Sequence, residues 1–190
     1  METLLSICLG IGLSAACGFR VFVPPLIMCL AARSGHLSFS TGFAWMSSDA
    51  ALMTFAVAAA LEIGGYFIPW LDHLLDVLAT PAAIVAGAIV SASTMAHLDP
   101  YLKWTLAVIA GGGIAGLIQG TTVLGRGAST ATTAGLANPL FAVLELGGAV
   151  MTSVLALFVP VVVVIMIVVA LYFVARKIFG RKKTIAPGAA

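Results

Sequence analysis

From Pro139 to Ala175 the chain runs through thirty-seven residues with a single charged side chain, Glu145. At about 1.5 Å per residue one straight helix of that length would reach roughly 55 Å, far beyond a bilayer core of about 30 Å. The run therefore holds two spans, or one long helix broken at Pro160; only that proline and Thr152-Ser153 hint at the break. No soluble fold can absorb such a segment here. Apolar residues make up 62% of the 190 and charged residues 8%, against about 45–50% and about 25% in soluble domains. That leaves too few polar side chains to cover an exterior, whereas a bilayer accepts apolar surface and helices satisfy their own backbone in it. The fold class expected is an all-α integral membrane protein.

The remaining apolar runs bring the expected count to about six transmembrane helices (range 5–7), some broken. Residues 3–32 are longer than one span needs and are interrupted by Gly18-Phe19-Arg20 and then Pro24-Pro25, where a helix must kink or break. A second span at about 48–68 is bracketed by Trp45 and Trp70, indoles that favour the headgroup level. Residues 70–79 place Leu71, Leu74, Leu75 and Leu78 on one face and Asp72, His73 and Asp76 on the other, as in an interfacial helix. Thr80-Pro81 then reads as N-cap and first helical residue of a third span, about 81–97. A fourth runs from Tyr101 and Trp104 to about Leu124, with Gly112, Gly116 and Gly120 on one face suited to close helix approach. Residues 125–138 hold hydroxyls and one charge, Arg126, and read as a re-entrant or half-buried segment before an Asn138-Pro139 helix start.

One short string occurs twice: Leu61-Glu62-Ile63-Gly64-Gly65 and Leu144-Glu145-Leu146-Gly147-Gly148, eighty-three residues apart. Each copy lies in a half that also carries an arginine near a break, Arg20 or Arg126. Three spans per half would insert the second copy upside-down, a 3+3 inverted repeat of the kind that builds transporters around a midplane site. The expected organisation is one transmembrane domain, 1–178, divisible into repeats 1–97 and 101–178, with a basic, disordered tail at 179–190. Against this, Leu78–Pro81 resembles Leu136–Pro139, which pairs different spans.

Five of the nine Lys and Arg residues (Arg176, Lys177, Arg181, Lys182, Lys183) follow the last apolar run. By the positive-inside rule they predict a cytoplasmic C-terminus in an inner membrane, rather than a nucleic-acid patch. Cys8, Cys17 and Cys29 all lie in the first apolar region, which does not suit a disulfide framework. Leu13–Cys17 superficially resembles a processing site, but no Lys or Arg precedes it, so a retained N-terminus is expected.

The strings Ser14–Pro24 (SAACGFRVFVP), Ile68–Asp76 (IPWLDHLLD), Ala128–Thr133 and Leu61–Gly64 resemble a bacterial family of small multi-pass membrane proteins catalogued only as a domain of unknown function. The resemblance covers nearly the whole chain. It implies one integral-membrane domain and carries over no activity and no site residues.

Candidate chemistry starts with Glu62 and Glu145. A carboxylate at membrane depth costs several kcal/mol unless protonated, paired or hydrated. Beside a Gly-Gly pair that permits close packing or local unwinding, it is either a proton or hard-cation site or a neutral acid bonded to a neighbouring helix. Arg20 and Arg126 are the counter-charges, as an anion site, a switch or a permanent ion pair. Asp72, His73 and Asp76 are a divalent-metal candidate or a solvated, cation-concentrating mouth. Ser129, Thr130, Thr132, Thr133 and Asn138 are candidate ion-coordinating groups or a polar loop. No nucleophile-base pair or nucleotide loop stands out, so no enzyme and no cofactor are expected. The leading expectation is a channel or transporter for an inorganic cation or protons, homo-oligomeric in the bilayer, with Glu62 and Glu145 at a central site. The alternatives are a non-transporting assembly or lipid-organising protein built on the glycine faces, and an anion or phospholipid carrier.

Overall fold

The computed structural model describes residues 1–180, apart from the side chains of Pro69, Trp70, Asp72, His73 and residues 178–180. Of the tail expected at 179–190, everything after Gly180, with Arg181, Lys182 and Lys183, lies outside the described residues. The regular structure described is helical: α1 (Glu2–Cys17), α2 (Val23–Arg33), α3 (Asp49–Gly65), α4 (Pro69–Thr94), α5 (Pro100–Leu106), α6 (Gly113–Thr133), α7 (Asn138–Phe158) and α8 (Pro160–Gly180). A 3-10 turn, Ala44–Ser47, precedes α3, and a π-helical stretch, Ala107–Gly112, joins α5 to α6. Four segments are long and apolar enough to cross a membrane: Leu74–Thr94, Pro100–Thr133, Asn138–Phe158 and Pro160–Lys177. The apolar run from Pro139 is thus two helices, parted at Val159-Pro160.

The first apolar stretch is not one kinked span. α1 runs antiparallel to α4, with Thr94 Oγ1 donating to Ser6 O and Ser14 Oγ donating to Gly87 O at 2.6 Å. The chain breaks over Gly18–Phe22, and α2 then returns to the end from which α1 set out. There Arg33 pairs with Asp49 at the start of α3, and Leu37 and His36 line a cavity of about 450 Å³ shared with Glu2 and Leu5. α1 and α2 form a helical hairpin whose tip, with Cys17, Arg20, Val21 and Val23, is buried. Val23, Pro24 and Pro25 make the first turn of α2, where missing or unpaired N–H groups break no helical bond. Exposed backbone at such a tip is tolerated at membrane depth only inside protein.

α1 is the hub of the packing. Its residues are small or apolar all round, which suits a helix surrounded by others, and Leu13, Ala15 and Cys17 join Val90, Ala115, Ala156, Val163 and Ile167 in one core. Glycines permit the closest approaches. A Cβ on Gly18 would stand 2.5 Å from Ala115 O, and one on Gly111 would stand 2.8 Å from Gly87 O. Gly112 and Gly116 face Ile84 of α4, so most of the small-residue face expected to invite a second copy is used within the chain. α8 buries Val163 and Ile167 against α1 and leaves Ile165, Val168, Val169 and Phe173 exposed.

Three expected boundaries move. Residues 70–79 and 81–94 form the single helix α4, with Pro81 inside it and Pro69 in its first turn. Thr80 does not cap; its hydroxyl donates back to Asp76 O at 3.0 Å. Residues 125–133 continue α6 and are not a re-entrant loop, the connection being only 134–137. Its turn is made by Ala134 and Gly135, both with positive φ. Asn138 is the first residue of α7 and not its cap; its side chain bonds Thr130 instead.

Candidate functional site

The hairpin tip, α3, α4, α6 and α7 converge on a buried group of charged side chains. Arg126 lies seven residues before the end of α6 and Glu145 seven residues after the start of α7. Both therefore sit at one depth, about 10 Å from the connecting turn. Arg126 Nε donates to Glu145 Oε1 at 3.0 Å and its Nη2 donates to Oε2, a bidentate pair. Arg126 Nη1 reaches back to Asp76 Oδ1 of α4 at 2.9 Å. Arg20, at the hairpin tip, places Nη2 3.3 Å from Glu145 Oε2 and donates to Ala142 O at 2.9 Å. Both arginines are essentially inaccessible, Arg20 at 1% and Arg126 at 2% exposure.

Tyr66, just past the end of α3, joins the two cations. The guanidinium carbons of Arg20 and Arg126 each stand 3.9 Å from its ring centroid. The same two guanidinium groups also approach one oxygen, Glu145 Oε2, so ring and carboxylate together hold both cations. Each contact is worth about 2 kcal/mol or more when water is excluded.

Glu62 does different work from Glu145. Its carboxylate accepts Val21 N–H at 2.8 Å and Phe22 N–H at 3.1 Å. Val21 and Phe22 immediately precede the first turn of α2, near the helix end that carries about half a positive charge. Glu62 thus holds the turn that leads into α2 from another element, within electrostatic reach of Arg20 and Glu145. Among the described residues, Arg20 and Arg126 face Glu62, Glu145 and Asp76, an excess of one negative formal charge.

The duplicated motif is therefore brought to one site, but its copies are chemically unequal. Neither Gly-Gly pair unwinds: α3 and α7 stay helical through both. Gly64 and Gly147 face open space, while Gly65 meets Leu75 and Gly148 meets Phe19. Asp76 is turned inward to Arg126 and does not line a solvated mouth. The side chains of Asp72 and His73 lie outside the described residues, and among those described no three metal-ligating groups cluster. The hydroxyls of Thr130, Thr132 and Thr133 bond within the α6–α7 corner. Thr132 and Thr133 bond back to Ala128 and Ser129 carbonyls, Thr133 accepts Ala137 N–H, and Thr130 pairs with Asn138. Ser129 is buried.

Two members of the site escaped the sequence reading, Tyr66 and the inward role of Asp76. A signal for Tyr66 was present: it falls one helical turn after Glu62, on the same face. Four donor or hydroxyl atoms nearby in the fold stay buried without partners, namely Arg20 Nε and Nη1, Gln119 Nε2 and Ser129 Oγ.

The architecture defines a helical membrane protein with a buried ionic cluster at the tip of its first helical hairpin. Residues 7–179 match the family described as Domain of unknown function (DUF4126), and the chain belongs to it. No curated protein and no solved structure matches the chain.

Proposed function

We propose that the protein moves protons across the membrane, with the carboxylate of Glu145 as the switched group. One observation carries this reading: a single buried carboxylate bridges two guanidinium groups held by separate parts of the chain, Arg20 at the hairpin tip and Arg126 in α6. Protonating Glu145 removes the charge that holds both, so proton binding and relative movement of the hairpin are coupled by differential stability. The oxygens of Glu62 and Glu145 already accept N–H donors. That suits a proton, which needs one lone pair, over a metal cation, which would need several oxygens stripped of their donors.

In this reading the protein lies in an inner membrane with its basic C-terminus cytoplasmic. Self-association would use the exposed face of α8, since Gly112 and Gly116 are occupied by α4. The test is proton uptake into proteoliposomes under an imposed potential, read with an internal pH dye. Wild type is expected to acidify the lumen without sodium or potassium flux, and Glu145→Gln to stop it. Absence of proton flux from folded wild-type protein, or an unaltered rate in Glu145→Gln, overturns the reading.

A further inference from the structure

We infer that buried water, held by hydroxyl and amide side chains in two columns, carries protons to Glu145 from one face of the membrane and away to the other. The route rests on the proton-handling reading above and supplies its path.

The longer column starts at the cavity of about 450 Å³ beside the start of α1, whose lining includes Glu2, Ser6, His36, Ser38 and Thr94. Thr94 Oγ1 reaches from it into the α1–α4 seam, donating to Ser6 O at 3.2 Å or to Ser91 O at 2.9 Å. A Cβ on Gly10 would stand 2.7 Å from Thr94 Oγ1 and 2.9 Å from Ser91 Oγ. One on Gly111 would stand 3.1 Å from Ser14 Oγ and 2.6 Å from Ser91 Cβ. Thr94, Ser91 and Ser14 therefore follow one another down a single seam where glycine keeps other side chains out. Further in, Gly18 meets Ala115 O, and Gln119 lies one turn beyond Ala115 on α6, level with the hairpin tip. On α7, Ser153 falls between Ala156, which faces Gly12, and Gly148, which faces Phe19. Gln119 is seven residues from Arg126 and Ser153 eight from Glu145, so both stand about 10–12 Å from the ionic pair on the cavity side. Arg20 bridges that interval, its backbone in the tip and its guanidinium at Glu145. The shorter column lies opposite. Ser129 follows Arg126 by three residues, and the Thr130–Asn138 pair leads on to the α6–α7 corner.

The bonding of these groups marks them as water sites. A helix hydroxyl commonly donates to a carbonyl of its own helix, as Ser14, Ser93 and Thr133 do. Ser91, Ser129 and Ser153 do not. Six side-chain polar atoms are buried without a partner among the described residues: the Oγ atoms of those three serines, Gln119 Nε2, and Arg20 Nε and Nη1. All six fall in the two columns or at their junction. Such atoms are costly in a dry interior, and a buried water satisfies them by making about three hydrogen bonds.

Along each column a hydroxyl or water accepts one proton and releases another, so one proton reaches Glu145 for each that enters. At the junction Arg20 and Arg126 repel hydronium, as a pore arginine does, so a proton crosses only by sitting on Glu145. α8 starts beside the cavity, at Pro160, and ends towards the other face. With the C-terminus cytoplasmic, as proposed above, the shorter column opens to the cytoplasm.

The test pairs a hydration readout with a flux readout, both on the full chain in phosphatidylcholine bilayers. Water-edited solid-state NMR, with deuterated acyl chains, follows magnetisation passing from water to the side chains. Transfer to Ser91, Gln119, Ser153 and Ser129 is expected to build up several-fold faster than to Met28 and Val163, which lie in apolar core. In the proton-uptake assay, Ser91→Ala, Gln119→Leu and Ser129→Ala are each expected to slow flux about tenfold, the scale of one hydrogen bond lost from the path. Thr121→Val removes an exposed hydroxyl that bonds its own helix and is expected to leave flux unchanged. Transfer to the four sites no faster than to Met28 and Val163 overturns the route, and so does wild-type flux in all three folded column variants. Flux through dry columns retires the route alone. Hydrated columns without wild-type flux retire the transport reading, and with it the carriage of protons, but keep the water sites.

Discussion

Arg126 and Glu145 stand at equal distance from the α6–α7 turn, seven residues on either side, and meet as a bidentate pair inside the protein. Sequence symmetry about a short helical hairpin thus sets the depth of the pair, and burial sets its strength. Removing one member leaves an uncompensated buried charge, which typically costs about 3–5 kcal/mol. Arg126→Leu and Glu145→Leu are each expected to lower thermal stability in detergent by that order. Arg126→Leu/Glu145→Leu together are expected to lose less than the sum. Arg20 pairs with Glu145 and Asp76 with Arg126, so the double variant strands both and recovery should be partial; strict additivity would show that the pair is not coupled.

Among the described residues Glu62 bonds only backbone, at the turn that leads into α2. Its removal should therefore be felt locally. Glu62→Ala is expected to loosen the first turn of α2, at a cost of about 0.5–2 kcal/mol by analogy with lost helix caps. Amide hydrogen exchange over residues 21–26 should rise while α6 and α7 stay protected. Uniform exchange across all helices would show that Glu62 acts on the whole cluster instead.

Much of this was legible in the residues. The long uncharged runs set the membrane class, and the repeated Leu-Glu-x-Gly-Gly string marked two side chains that do meet at one buried cluster. What was hidden depends on contacts across large sequence separations. Asp72, His73 and Asp76 look like a solvated face because nothing nearby neutralises them; the partner of Asp76 is Arg126, fifty residues on. Thr80-Pro81 looks like a helix start because a proline's missing N–H is harmless there, yet packed membrane helices also tolerate it in mid-helix. The break at Gly18–Phe22 was visible, but its direction was not. Whether a chain kinks or turns back at such a point is decided by what holds the turn into the new helix, here Glu62 of α3.

The glycines divide by what faces them. A Cβ on Gly87 would lie 2.6 Å from Ala115 Cβ and 3.0 Å from Gly111 O, where backbone must shift. Gly87→Val is expected to cost several kcal/mol by overpacking the α1–α4–α6 junction. At Gly64 and Gly147 nothing lies within 4 Å. Alanine there should stabilise by up to about 1 kcal/mol, because mid-helix glycine carries an entropic cost. Melting temperatures of the three variants would separate these cases, and a destabilising Gly147→Ala would point to a contact outside the chain.

Tyr66 holds two like charges close together without accepting a proton or donating a charge. Its ring faces are the negative part of the aromatic quadrupole, and both guanidinium carbons stand 3.9 Å from the ring centroid. Without the ring, Arg20 and Arg126 would rely on carboxylates, Glu145 for both and Asp76 for Arg126, to offset their repulsion. Tyr66→Phe keeps both ring faces and is expected to retain most of the stability and the proton flux. Tyr66→Leu fills similar space without a quadrupole and is expected to lose about 2 kcal/mol or more, with flux altered because the arginines can now separate. Equal behaviour of the Phe and Leu variants would show that Tyr66 contributes only volume. Loss in both would transfer the role from the ring to the phenolic hydroxyl.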